Sequence, residues 1–262
     1  WYNKRASEIT RMMVEELFCK LCGEDDAHPI RANRTLERIS AIYNKAIEWG
    51  MYEGNNPARG IKKFKEISRK RILERNEYST LFKSLLESPH RDAKDIIFIA
   101  LMTGIRRGNI LSMKWKDLYF DYEIPIWHIP YTKNGNSQDA ILIPIVVELL
   151  KSRKEMQKDN LSEFVFPGTG DTGHLIEPKR SIRSIFKNAG IENIRVHDLR
   201  RTLATTVSRS GANDLTIKDI LGHSNQDVTA VYVRPEYETK YALLIKSWEL
   251  TLSKVGEFTK WW

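Results

Sequence analysis

The sequence predicts a mainly α-helical chain with a small antiparallel β-sheet, an α+β fold in two domains. Three observations predict this class. Residues 33–49 repeat apolar side chains with the 3.6-residue period of a helix. Two β-rich runs within 124–145 flank Asn134-Gly135, a dipeptide that favours a tight hairpin turn. Helical patterns then return from about residue 178 to the end.

The first domain, residues 1–66, is predicted to be a small helical bundle. Residues 5–22 show a helical pattern, and the helix at 33–49 is closed by a glycine. Cys19 and Cys22 form a lone CxxC pair, and a structural zinc site would need four ligands, so we expect both to pack in the core. The chain starts without methionine, and we expect an N-terminal segment to precede it.

A basic segment follows at residues 61–71. Its six cations are opposed only by Glu66. Such a run is either a solvated interdomain linker or one that follows a phosphate backbone, and the sequence favours neither. The DNA-contacting residues predicted from this segment and the preceding helix are Arg34, Arg38, Lys62, Lys63, Lys65, Arg69, Lys70 and Arg71.

The second domain, residues 67–262, is predicted to contain a buried helix at 94–104, a second helix at 106–118 and the hairpin at 124–145. The stretch GTGDTG at 168–173 matches the glycine pattern of dinucleotide-binding loops. No helix start follows it to hold a pyrophosphate, so we predict a simple turn.

The net charge of +8 favours a polyanionic partner, either nucleic acid or an acidic membrane surface. No apolar run approaches the length of a membrane span, and no signal peptide is visible. We therefore expect a soluble protein of the cytoplasm that does not associate with membranes.

Several residues suited to chemistry lie outside the apolar patterns. Each has an ordinary explanation when taken alone, such as a surface arginine or a helix-capping histidine. In chain order they are Arg106 after a glycine turn, Lys133 at the hairpin tip, His197 and Arg200 in HDLR, His223 in LGH, and Tyr232 nine residues later.

Taken together and in this order, these motifs resemble the tyrosine recombinases of the phage-integrase type. The resemblance covers about residues 72–240, and the helical segment before it resembles the core-binding domain of that family. It implies a catalytic domain with a C-terminal tail helix, in which Tyr232 is the nucleophile. Arg106, Arg200 and His223 would then bind the phosphate oxygens. His197 would accept the tyrosine proton, and Lys133 would protonate the leaving 5′ oxygen. The resemblance also implies a 3′-phosphotyrosyl intermediate and no nucleotide cofactor.

The residue types agree with this chemistry. Guanidinium groups stay protonated and bind phosphate oxygens in pairs, so Arg106 and Arg200 suit a pentacoordinate phosphate. Metal-dependent nucleases instead need clustered carboxylates. The acidic run at 23–26 lies far along the chain from every arginine motif. We therefore expect no metal, and built-in cations in its place.

The resemblance also implies partners. These are double-stranded DNA attachment sites of a phage or other mobile element, a homotetramer assembled on DNA through the tail at 236–262, and accessory DNA-bending proteins. The tail has an amphipathic helical pattern. Packing against its own domain is an equally good interpretation of that pattern.

One position departs from the family pattern. Many relatives carry an acidic residue three positions after the first arginine, and this chain has Asn109. An amide oxygen would orient Arg106 less firmly than a carboxylate. A DNA-binding relative with weakened catalysis therefore stays open. A type IB topoisomerase, which shares the nucleophile chemistry, is the other alternative function.

Overall fold

Two units make up the chain, Trp1–Lys70 and Arg71–Trp262. The sequence places the division a little earlier, between residues 66 and 67, within the same basic segment. The computed structural model describes residues 1–23, 27–130, 136–158, 162–222 and 236–262.

Two helices and a short 3-10 turn form the first unit. The turn is Ala6–Glu8, α1 is Arg11–Cys22, and α2 is Pro29–Glu48. The Thr10 hydroxyl accepts a hydrogen bond from the Met13 backbone N–H (3.3 Å), which caps the start of α1. α2 begins earlier than the predicted residue 33, because proline is tolerated in the first helical turn.

The two cysteines of α1 differ in environment. Cys22 lies in the core of the first unit with Val14 and Phe18, whereas Cys19 is exposed. The prediction that both pack in the core is correct for Cys22 and wrong for Cys19. The buried positions of α1 are four residues apart, and Cys19 falls outside that stripe.

The basic segment at residues 61–71 has no regular secondary structure, and hydrogen bonds join its Phe64 to α2. The Asn33 side chain donates from Nδ2 to the Phe64 carbonyl (2.9 Å) and accepts from the Phe64 backbone N–H (3.0 Å). The Phe64 ring also stacks on Phe18, with ring centroids 4.5 Å apart. These contacts hold the segment against the first unit.

Eight α-helices build the second unit within the described residues. They are α3 Glu77–Glu87, α4 Arg91–Thr103, α5 Arg107–Leu111, α6 Pro144–Met156, α7 Lys179–Asn188, α8 Val196–Arg209, α9 Asp214–Leu221 and α10 Tyr237–Val255. α4 is central, and every side chain from Ala93 to Thr103 is buried, which confirms the buried helix predicted at 94–104. In the described ranges, no helix combines the length and apolar character that crossing a bilayer requires.

A three-stranded antiparallel sheet lies in the second unit, in the order β1-β2-β3. β1 is Leu118–Tyr119, β2 is Ile126–Ile129 and β3 is Gln138–Ile141. Trp127 of β2 pairs with Ala140 of β3, and both side chains are buried in the main core. The predicted class, mainly α with a small antiparallel sheet, is confirmed, although β1 was not among the predicted elements.

Residues 106–118 do not form the single helix that the pattern predicts. α5 ends at Leu111, after barely more than one turn. The Val165 backbone N–H donates to the Met113 carbonyl (2.9 Å), which pairs this stretch with a distant part of the chain. Tertiary hydrogen bonds therefore override the local helical preference.

The glycine-rich stretch at 168–173 is a turn, as predicted. The Gly168 N–H donates to the Gly173 carbonyl (3.0 Å), and Pro167 and His174 form an isolated antiparallel bridge across it. The next helix, α7, begins only at Lys179. No helix start lies close enough to hold a pyrophosphate above these glycines.

Candidate active site

Arg200 is the most firmly held of the predicted site residues. It lies on α8 and is only 5% exposed. Its Nη1 donates to the Gly104 carbonyl (2.6 Å) and its Nη2 donates to the Leu221 carbonyl (2.5 Å). Gly104 follows the last residue of α4, and Leu221 is the last residue of α9. Arg200 therefore joins the C-terminal ends of two helices, where the helix dipole favours a cation.

Gly104 lets the chain leave α4 directly beside Arg200. Its φ of 66° is in the left-handed region, where a side chain is strained. A Cβ at this position would lie 2.7 Å from Leu221 Cδ2 and 2.9 Å from Leu203 Cδ2. Only glycine fits both the conformation and the space, and it carries the chain within two residues to Arg106.

Arg106 is extended and partly buried immediately before α5. Its Nη1 is buried, and so is Nδ2 of Asn109 within the first turn of that helix. Neither nitrogen has a hydrogen-bond partner among the described residues. Buried donors without partners are costly, so these two nitrogens are available to an acceptor that the described residues do not supply.

Arg106 and Arg200 lie close enough for their charges to interact. Burial first, and then the positive charge of Arg106, lower the pKa of Arg200 to about 10. The Arg200 guanidinium is still protonated at neutral pH. Across the described residues, no carboxylate forms an ion pair with either arginine, and no three His, Cys, Asp or Glu side chains are grouped to bind a metal ion. The local charge is positive, as an anion site requires.

His197 stands at the exposed start of α8, three residues before Arg200. Partial burial of its ring first, and then the charge of Arg200, lower the pKa of His197 below its ordinary value of 6.5. Arg201 and Arg106 act in the same direction, whereas Asp198 opposes them. The imidazole is therefore neutral at neutral pH and able to accept a proton.

Asp198, within the same HDLR motif, has a structural position. Its carboxylate accepts a hydrogen bond from the Arg195 backbone N–H (2.9 Å), which stabilises the start of α8. It also approaches Arg201 at 3.4 Å. Asp198 thereby fixes the first turn of the helix that presents His197 and Arg200.

Three predicted site residues, Lys133, His223 and Tyr232, lie outside the described residues. The described structure brings together the other three, Arg106, His197 and Arg200. Parts of the chain on either side of these three residues are described. Gln138 Nε2 donates to the Ile220 carbonyl (3.2 Å), so the start of β3 lies beside the end of α9.

The predicted DNA-contacting residues fall in different settings. Arg34 and Lys63 each pair with Glu37, and Arg71 forms an ion pair with Glu77 in the second unit. A phosphate would have to compete with these carboxylates. The other predicted residues are all exposed: Arg38, Lys62, Lys65, Arg69 and Lys70.

A basic face on α7 was missed by the sequence analysis. The helix exposes four cations, Lys179, Arg180, Arg183 and Lys187, while its opposite face is buried in the core. Glu177 just before this helix pairs with both Lys179 and Arg107, which joins the start of α7 to the neighbour of Arg106. The spacing of basic and apolar residues in KRSIRSIFKN is typical of an amphipathic helix with one basic face, so the sequence pattern could have predicted it.

Comparisons with known proteins agree on one family. The model of the phage integrase family matches residues 71–239. The integrase of Escherichia phage P2 is 26% identical over 234 residues, which cover 88% of this chain and 64% of that protein. A tyrosine recombinase of Thermosipho africanus is 25% identical over 252 residues, covering 92% of this chain and 86% of the relative.

Among solved structures, a lambda integrase bound to DNA has a similar fold. The TM-score is 0.66 at 18% sequence identity, with coverage of 92% of this chain and 84% of that one. At this level of identity the similarity concerns the fold alone.

Proposed function

The chain belongs to the phage integrase family, and we propose that it is a site-specific DNA recombinase that integrates a phage or other mobile element. It cleaves and rejoins DNA through a 3′-phosphotyrosyl intermediate, without metal or ATP. The substrate is a double-stranded DNA attachment site, and the work is done in the bacterial cytoplasm, where such DNA lies.

The observation that carries this proposal is the paired arginine site. Arg200 is fixed by the Gly104 and Leu221 carbonyls, and Arg106 beside it has a buried N–H with no partner among the described residues. A cation held in place by the protein, next to a second cation with an unpartnered buried donor, suits the non-bridging oxygens of a phosphodiester. Each preorganised donor of this kind is worth roughly 10²–10³ in rate, about 3–4 kcal/mol.

The reaction follows from the residue types. The Tyr232 oxygen attacks the phosphorus, and its proton passes to neutral His197. The bond from phosphorus to the 5′ oxygen breaks, and Lys133 gives that oxygen its proton. Arg106, Arg200 and His223 stabilise the charge on the other oxygens. The 3′-phosphotyrosyl link keeps the energy of the broken ester, so a second 5′-hydroxyl can reverse the step.

DNA binding rests on the positive surfaces. We propose that the basic face of α7 contacts phosphates beside the scissile bond, because Glu177 ties the start of that helix to Arg107. The basic residues of the first unit, together with Arg71, bind flanking phosphates. Arg34, Lys63 and Arg71 exchange their carboxylate partners for DNA. These contacts position the protein, whereas base contacts specify the site.

Exchange between two duplex sites needs four strand cleavages, one for each subunit of a tetramer. We therefore propose that a homotetramer assembles on the paired DNA sites and that DNA-bending proteins assist it. In the free chain the C-terminal segment packs on its own unit, where Trp261 Nε1 donates to the buried Asp95 carboxylate (3.0 Å). Assembly through this tail would require the segment to leave that place.

A nicked suicide substrate that carries the attachment site tests the function. Wild-type protein should form an adduct that resists denaturing detergent, with or without EDTA. Tyr232→Phe should form none. Arg200→Lys should lower the cleavage rate at least about a hundredfold, because lysine cannot reach both carbonyls and a phosphate. Absence of the wild-type adduct would contradict the enzymatic function.

Assays on the same purified protein distinguish a recombinase from the two alternative functions. Relaxation of supercoiled DNA that lacks an attachment site would favour a topoisomerase. Tight, site-specific binding without any adduct would favour a relative that has lost catalysis. Recombination between two attachment sites, with no relaxation of unrelated DNA, is the expected result.

A further inference from the structure

We propose that Asp139 is a positioning residue, which joins the start of α10, five residues after Tyr232, to β3. This proposal rests on the function proposed above. It assigns a role to a side chain that none of the recombinase motifs includes.

Asp139 uses both carboxylate oxygens. His128 Nδ1–H donates to Oδ1 (2.6 Å), and the Tyr237 hydroxyl donates to Oδ2 (2.6 Å). His128 and Asp139 are directly opposite each other on β2 and β3, so the first bond lies within the hairpin. Tyr237 is the first residue of α10, so the second bond joins the hairpin to that helix.

Neighbouring contacts strengthen the same junction. Lys240, which is 9% exposed, donates to Asp219 of α9 (2.8 Å), and its Nζ lies 4.5 Å from the centre of the Tyr237 ring. Gln138, next to Asp139, donates to the Ile220 carbonyl. Adjacent residues of β3 thereby hold the end of α9 and the start of α10.

The chain connectivity gives these contacts a catalytic consequence. Tyr232 precedes Tyr237 by five residues, and Lys133 precedes Gln138 by five. A chain of five residues spans at most about 17 Å, so a fixed Tyr237 and a fixed Gln138 limit the volume that Tyr232 and Lys133 can sample. Fixing Tyr237 and Gln138 lowers the conformational entropy that is lost when the nucleophile and the general acid meet at one phosphate. Asp139 therefore raises the rate of cleavage rather than the affinity for DNA.

The junction lies near the surface, so its loss should leave the fold intact. The Asp139 side chain is 29% exposed, and Tyr237 is 39% exposed. Tyr237→Phe removes only the hydroxyl. Tyr122→Phe is the matched control, since Tyr122 is an exposed tyrosine of the same unit that stacks on Tyr119.

The experiment measures single-turnover cleavage of the suicide substrate. Tyr237→Phe and Asp139→Asn should each lower the cleavage rate about tenfold, with DNA affinity and melting temperature unchanged. The double variant should be no slower than the worse single variant, because both changes break the same bond between Tyr237 and Asp139. Wild-type rates in Tyr237→Phe, or fully multiplicative losses in the double variant, would overturn the proposal.

A second substrate shows whether the variants move the nucleophile or the general acid out of position. Sulfur in place of the bridging 5′ oxygen gives a leaving group that needs no proton, so this DNA should rescue Lys133→Ala. It should not rescue Tyr237→Phe, because the misplaced group there is the nucleophile. Full rescue would overturn the assignment to the tyrosine segment. Because wild-type cleavage is measured in parallel, failure of the proposed function would appear separately, as no adduct in any variant.

Discussion

At the scale of single residues, the site depends on what each arginine binds before DNA arrives. Arg200 has five N–H donors and places Nη1 and Nη2 on backbone carbonyls, which fixes the plane of the guanidinium. Arg106 keeps a buried donor without a partner among the described residues. One arginine is thus held by the protein, and the other keeps a donor that a phosphate would use under the proposed function.

Asn109 contributes the second orphaned donor, and its replacement tests that interpretation. Asn109→Leu has nearly the same shape and removes the buried, unpartnered amide. The free energy of unfolding should rise by about 1 kcal/mol, while DNA cleavage falls. Chemical denaturation and the suicide-substrate assay measure the two effects. The exposed Asn188→Leu serves as the control, and a less stable Asn109→Leu protein would show that the amide is satisfied in solution.

His197 predicts a pH dependence of stability. Its pKa is lowered in the folded protein, so between that value and the ordinary 6.5 the unfolded chain binds more protons. Stability from the neutral ring is complete above about pH 6.5 and is lost as the pH falls toward the folded pKa. Urea unfolding at about pH 7.5 and pH 5.5 should therefore show a smaller loss for His197→Gln than for wild type. An equal loss in both proteins would contradict the shift, and His90→Gln controls for removing a histidine elsewhere.

At the scale of elements, aromatic contacts bind the C-terminal segment to α4. Phe258, Trp261 and Trp262 pack around Phe98 of α4, with ring centroids 5.2–6.4 Å from it. The fully buried Asp95 accepts from Trp261 and pairs with Arg153. Of the two interpretations of the tail, the structure shows the one in which it packs on its own unit.

Trp261→Phe tests that packing. The change removes one donor to a buried carboxylate and keeps most of the aromatic surface. The free energy of unfolding should fall by about 1.5–3 kcal/mol, the range for hydrogen bonds to charged groups. Thermal and urea unfolding measure it, with the exposed Trp49→Phe as the matched control. If Trp261→Phe loses no more stability than Trp49→Phe, then the C-terminal segment is not bound at Asp95 in solution.

At the scale of the whole molecule, the described residues form two separate hydrophobic cores. One core belongs to the first unit, and a much larger one joins α4 and α8 with the sheet in the second. All described catalytic candidates lie in the second unit, whereas most of the predicted phosphate contacts lie in the first. With the net charge of +8, this division predicts separate contributions to affinity and chemistry.

Expression of residues 71–262 alone tests this division. The fragment contains a complete core and should fold cooperatively. It should cleave the suicide substrate through Tyr232, with weaker DNA binding and a shallower dependence of affinity on salt than the full chain, because fewer phosphates are neutralised. An unfolded fragment, or one with an unchanged salt slope, would contradict the division.

The elements differ in how far they could be predicted. The helix predicted at 94–104 carries continuous apolar residues and a closing glycine. Its end was predicted correctly, and it begins three residues earlier, at Arg91. The helix at 106–118 was predicted wrongly, because the Met113 carbonyl pairs with a strand-like stretch some fifty residues away. Exposed Cys19 was misjudged because spacing alone did not show which side of α1 faces α2.

The sequence by itself determined the family, the fold class and the identity of the candidate catalytic residues, because these depend on residue types in a fixed order along the chain. Only the tertiary structure decided how Arg200 is held, which donors of Arg106 and Asn109 stay unpaired, and that Asp139 joins two distant elements. The physical reason is the same in each case. Hydrogen-bond partners such as Gly104, Leu221 and Tyr237 are far away in sequence, and no local pattern encodes which groups folding brings within bonding distance.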